Sequence, residues 1–206
     1  MSENSSSTDR KRKAIIAGIE ILHQWILTLL DQGIDVLQKD EHRINDISSR
    51  LVDAGISGIA RRIRTIGDKT VEFENWREYV LKELGEIYLL CRIILSNSDI
   101  DSPDIQQILG LVRRKSSIEE DQNLGIYDHW IYIGSKSSVE EKMLMFRHWF
   151  VGQESKKKAL YIEYIFNKFN RPRIFELGKS YPGRIFFYPS KVPQRVTNIP
   201  NSPLLL

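Results

Sequence analysis

GIYDHWIYIGSKSSVEEKMLMFRHWFVGQESKKKALYIEYIF, residues Gly125 to Phe166, reads as three consecutive strands broken by two turns. The runs Tyr127 to Ile133, Lys142 to Val151 and Ala159 to Phe166 are dense in aromatic and β-branched residues, which suit a pleated, half-buried surface. Gly134-Ser135-Lys136-Ser137-Ser138 and Gly152-Gln153-Glu154-Ser155-Lys156 carry turn chemistry. Connections this short imply antiparallel neighbours, because a parallel crossover needs a dozen or more residues. The stretch therefore predicts a β-meander.

On the middle strand Leu144, Phe146 and Phe150 point one way, and Met143, Met145, Trp149 and Val151 the other. Large apolar groups on both faces predict an interior strand, covered by helix on at least one side. Arg147 and His148 interrupt the two faces, and the plain reading gives each an edge, a carbonyl or a carboxylate as partner.

Outward from the meander, the N-terminal half reads as helical. Residues 2 to 9, SENSSSTD, are small and polar and predict a disordered tail. Ile15, Ile19, Leu22, Ile26, Leu29 or Leu30, Ile34 and Leu37 recur at helical spacing and predict one helix from Arg10 to Gln38. Further helices are expected over Glu41 to Ala54, Gly58 to Ile66, Phe73 to Ser96 and, opening on Ser102-Pro103, through Arg113. The third carries Arg61, Arg62 and Arg64, which face phosphate, an acidic neighbour or solvent. On the C-terminal side, residues 167 to 180 read as irregular, Tyr181-Pro182-Gly183 as a turn, Arg184 to Tyr188 as a fourth strand, and the proline-containing segment from Pro189 as a wrap or loose tail.

The 206 residues are 41% hydrophobic, enough for a substantial core. Net charge is only +3, but residues 111 to 206 hold 16 basic and 9 acidic side chains, against 14 and 18 before them. The strand-rich half is the cationic one. Two clusters stand out in it as a nucleic-acid-contacting set: Arg113, Arg114 and Lys115, then Lys156, Lys157 and Lys158. An acidic run, Glu119-Glu120-Asp121, can pair with the first locally, and lysines at a turn tip are often merely solvated.

Cys91 is the single cysteine, which excludes an intramolecular disulfide and any zinc site needing two thiolates. It lies on an apolar helical stripe and reads as a buried hydrophobe. No apolar run is read as a signal peptide or a membrane span, so a cytoplasmic location and no membrane partner are expected. Phosphate loop, nucleophile elbow, H-E-x-x-H and C-x-x-C are all lacking, and no cofactor is implied. Of the four histidines only His129 and His148 can approach one another, on adjacent strands, near Asp128. An enzyme would need a pocket drawing together Asp128, His129, Arg147 and His148.

Several collinear pieces resemble the region that follows the zinc finger in bacterial SWIM zinc finger family proteins. They are Arg50-Leu51-Val52-Asp53-Ala54 with Gly58 to Arg64; Trp76 with Glu83-Leu84-Gly85 and Leu89-Leu90; Asp128 to Gly134; Arg147 to Gly152; and Phe187-Tyr188-Pro189-Ser190 with Pro193-Gln194-Arg195. The family's C-x-C…C-x-H element is missing, since no cysteine precedes Cys91, so none of its zinc ligands carries over. The resemblance implies a relative of the downstream region only, truncated or encoded apart from its finger.

The expected fold is α+β: about five helices over residues 10 to 115 packed on an antiparallel sheet of about four strands over 116 to 190, as one compact unit, with a tail from 191. The expected function is a non-catalytic accessory or scaffold module with a protein partner. Weak nucleic-acid binding by the cationic half is the alternative, and an enzyme with a dispersed site the third reading.

Overall fold

In a computed structural model of the chain, the apolar stripe Ile15, Ile19, Leu22, Ile26 and Leu29 forms the buried side of a long helix, α1 (Ser2–Gln32). The structure describes residues 2–40, 42–72, 74–97, 100–111, 115–140, 143–166, 171–191 and 194–200. After α1 come α2 (Val36–Lys39), α3 (His42–Asp53), α4 (Ser57–Glu72), α5 (Trp76–Asn97), α6 (Pro103–Leu109) and α7 (Lys115–Glu119). Strands β1 (Gly125–Glu140), β2 (Met143–Gly152), β3 (Lys158–Ile165), β4 (Ser180–Phe186) and β5 (Arg195–Val196) complete the α+β chain.

Its contacts divide it into two compact units, 1–111 and 112–206, where the sequence suggests a single one. Each has its own core. In the first, α1 packs on α3 and α5, and α4 packs on the same two helices, so the four close into a ring. Their inward residues, among them Leu22, Ile47, Leu51, Ile63, Val80, Leu84 and Ile87, form one apolar cluster. Cys91 belongs to it, and burial raises its thiol pKa to about 11. Arg62 on α4 reaches Glu83 at 2.8 Å and Glu86 at 2.9 Å on α5, so this arginine meets an acidic neighbour rather than phosphate.

Several helix limits differ from expectation. Residues 2 to 9 continue α1 instead of forming a tail, because extending a formed helix gains a hydrogen bond for each residue fixed. At the other end α1 stops at Gln32, where Gly33 takes φ +83, and Leu37 is buried from the separate turn of α2. α4 runs past Ile66 to Glu72, its buried side continued by Thr70. α6 ends at Leu109 on Gly110, whose left-handed φ of +81 ends it before Arg113. Between Asp9 and Gln32, α1 is also long and apolar enough to cross a membrane by length and composition, contrary to the sequence reading. Its buried stripe against α3 and α5 is what a core helix requires.

The sheet has the order β4-β1-β2-β3-β5. β1, β2 and β3 form the expected meander, with Trp130 opposite Gly152 and Trp149 opposite Leu160. The sheet is mixed rather than wholly antiparallel, because β5 joins β3 in parallel. Gly134 to Ser138 is not a turn: β1 continues through it, with a bulge between Tyr132 and Gly134 that Gly134 absorbs at φ +143. β1 runs on to Glu140, which pairs with Met143 of β2. Nor is Tyr181-Pro182-Gly183 a turn; it lies within β4, an edge strand, where proline needs no ladder donor.

One sheet face holds Trp130, Tyr132 and Phe150. It is covered not by a helix but by Phe175 and by Val196 and Ile199 of the C-terminal segment, which is therefore no loose tail. On the opposite face Met145 is buried, but Trp149 is only half-buried. Phe150, 1% exposed and edge-on to both Phe175 and Tyr181, is the aromatic that anchors this core. In denaturant melts Phe150→Ala is expected to cost roughly 3–5 kcal/mol, the range for deleting a buried aromatic. Trp149→Leu is expected to cost below about 1.5 kcal/mol. The reverse order would mean that the sheet's buried face has been misassigned.

Candidate functional site

The connection between β2 and β3 is organised by a carboxylate. Asp128 lies on β1 two residues before Trp130, on the buried face, and is 2% exposed. Its Oδ1 accepts from the N–H of His129 at 2.6 Å and of Glu154 at 3.1 Å; its Oδ2 accepts from the N–H of Ser155 at 2.8 Å. Burial alone would push its pKa up. The hydroxyl and N–H of Ser155, with the N–H groups of Glu154 and His129, outweigh that and hold it at about 2. Gly152 is required beside it, since a Cβ there would strike Asp128 Oδ2 and Ser155 Oγ. The loop closes on itself through Gly152 N–H to Lys157 O at 2.9 Å and Lys156 N–H to Gly152 O at 3.1 Å.

This locked turn carries Lys156, Lys157 and Lys158. Lys156 adopts φ 55, the one positive φ outside glycine among the described residues, and its Nζ donates to Gln153 O at 2.6 Å. Lys157 Nζ lies 5.6 Å from the Phe187 ring centroid. Among the described residues none of the three pairs with a carboxylate, so the turn keeps its positive field. A groove of about 540 Å³ opens beside it, lined by all three lysines with Trp149, Ala159, Leu160, Lys191 and Gln194. Arg113 and Arg114 lie outside the described residues. Lys115 is 3.6 Å from Glu119, the local pairing expected from the sequence.

The four residues an enzyme would need are not brought together. Asp128 serves the turn, and His129, opposite Pro182 near the sheet edge, is exposed. Arg147 donates to Ser138 Oγ at 2.9 Å. His148 is opposite Ser135 and Tyr161, beyond the bulge from Asp128, so the two histidines do not adjoin. Its ring is walled by Tyr132, Phe146, Tyr161 and Phe175, with Nε2 3.7 Å from Glu163 Oε2, too far for a hydrogen bond. Burial lowers the His148 pKa below 6.5, although Glu163 opposes the shift. No cluster of three or more His, Cys, Asp and Glu side chains fit to hold a metal occurs among the described residues.

The ring of α1, α3, α4 and α5 has its counterpart in a known family. Residues 10–112 match the SWIM-associated four-helix bundle domain. The chain belongs to this family. The SWIM-associated match stops where the contacts divide the chain, so the groove and the resembling pieces after residue 112 lie beyond it. No curated protein and no solved structure matches the chain.

The lysine turn was legible in the sequence, but Trp149, Lys191 and Gln194 as its neighbours were not. Only the β2–β3 register and the return of the C-terminal segment bring them there.

Two pH windows follow. The folded-state pKa of Asp128 lies below its unfolded value, so its contribution is present above about pH 4 and lost as pH falls through about 2. Burial lowers the folded-state pKa of His148, so stability also falls as pH drops below 6.5, where the unfolded state takes the proton more readily. Melts of Asp128→Asn should show a deficit of about 2 kcal/mol or more near neutral pH, the cost of weakening charged hydrogen bonds, that narrows as acid protonates the wild-type carboxylate. His148→Phe should flatten the slope just below pH 6.5. A deficit independent of pH, or an unchanged slope, would contradict these assignments.

Bundle folding rests on apolar burial, with its one thiol inside the core. Metal analysis of untagged protein is expected to find no stoichiometric zinc, and a chelator should leave the thermal transition in place. One zinc per chain with unfolding on chelation would contradict this.

Proposed function

We propose that this SWIM-associated chain is a non-catalytic accessory module whose β unit contacts nucleic acid through the lysine-lined groove. The observation that carries the reading is the Asp128-locked turn. It fixes the backbone from which Lys156, Lys157 and Lys158 project, without carboxylate partners among the described residues, beside a groove that Lys191 also lines. Cations that need not break ion pairs to meet phosphate favour association with a polyanion. The +7 balance after residue 110 acts in the same direction. Against catalysis stands the separate employment of Asp128, His129, Arg147 and His148.

A protein-docking reading draws on a different surface. On α5, Leu81, Leu89 and Ile93 are exposed at helical spacing around Gly85, forming an apolar strip. That strip supports the scaffold role for the helical unit and leaves the groove's role unaffected.

Titration of a labelled oligonucleotide at several salt concentrations tests the nucleic-acid reading. Replacing Lys156, Lys157 and Lys158 together by Gln should weaken binding and reduce the log–log salt slope by about 2 for a single strand, at ~0.7 per contact. Unchanged affinity and slope in the triple variant would refute the groove as the contact and leave the scaffold reading.

A further inference from the structure

Trp149 is the feature of the groove that a purely electrostatic role leaves unused. Trp130 is buried and its indole N–H donates to Gly183 O at 3.0 Å; Trp76 is buried in the bundle with Arg77 4.8 Å from its ring centroid; Trp25 packs against the same bundle core. Trp149 is half-buried like Trp25 but lines the groove instead of the bundle core; among the described residues its ring has no aromatic neighbour and its N–H no partner.

Its surroundings leave it open. Across β2–β3 it faces Leu160, an apolar neighbour in the groove lining, whereas Ala159 turns to the Phe150 core. Across β1–β2 it faces Gly134, which has no side chain to lay on the indole. An aromatic ring held by a strand beside three lysines gathered on one turn is the combination that binds an unpaired base and its flanking phosphates. A duplex keeps its base faces stacked and can offer this groove only phosphate.

We infer that the ligand of the groove is a single-stranded nucleic acid, with one base stacked on Trp149 and the neighbouring phosphates on Lys156, Lys157 and Lys158. This rests on the nucleic-acid reading above and specifies it. Among the described lining residues Gln194 is the only side-chain amide, so a choice among bases is weak and the preference is for an unpaired strand.

The test uses the full chain and three probes at matched salt: a thymidine homo-oligonucleotide of about 12 nucleotides, within the site-size range of such grooves, a duplex of equal length, and inorganic polyphosphate as a base-free polyanion. The single strand should bind tightest and quench tryptophan fluorescence, whereas polyphosphate should bind without quenching. Trp149→Leu should weaken the single strand about tenfold, the loss of one stacked base, and leave polyphosphate binding unchanged. Trp149→Phe, which keeps a ring, should retain most of the affinity and guards against reading a folding defect as a binding defect.

If Trp149→Leu binds the single strand as wild type does while the triple lysine variant loses it, the stacking inference is wrong and the electrostatic groove stands. Equal loss of polyphosphate binding in Trp149→Leu, or equal wild-type affinity for duplex and single strand, also overturns it. Retention of binding by the triple lysine variant removes both readings together.

Discussion

A carboxylate buried in a sheet must either be protonated or be surrounded by donors, because an unsolvated charge is costly. Asp128 takes the second course. The donors come mainly from a turn far along the chain: Glu154 and Ser155 turn their N–H groups onto a residue of β1, and Ser155 adds its hydroxyl. One ionised side chain thereby fixes the path of the β2–β3 connection, makes Gly152 obligatory and sets where the following lysines begin. The positive charges of the turn are in effect placed by a negative one beneath them.

The β unit solves a second problem without helices on its aromatic face. Trp130, Tyr132 and Phe150 need a cover, and it comes from Phe175 and the returning C-terminal segment, pinned by Leu160 N–H to Gln194 O at 2.9 Å and Thr197 N–H to Phe186 O at 3.0 Å. The same return that closes the core carries Gln194 and Lys191 to the groove. Core closure and groove formation are thus one event. The helical unit follows simpler rules, with four amphipathic helices in a ring and an Arg62 link between α4 and α5.

The two units divide the chemistry as well as the chain. The family match covers the acidic helical unit, whose exposed apolar strip on α5 suits a protein surface. The cationic β unit lies outside that match and holds the groove.

By itself the sequence determined the α+β class, the helix stripes, the meander and the burial of Cys91, because each depends on periodicity and on neighbours a few residues apart. It also marked Lys156, Lys157 and Lys158. It misread Gly134 to Ser138 and Tyr181 to Gly183, where turn-forming residues sit inside strands: a bulge absorbs the first and an exposed sheet edge tolerates the second. Propensity is local, whereas strand pairing is decided by what lies across the ladder. The role of Asp128, the exposure of Trp149 and the seating of Val196 and Ile199 were decided only by tertiary structure. Each depends on a partner dozens of residues away, and no local pattern records which buried polar group will meet which turn.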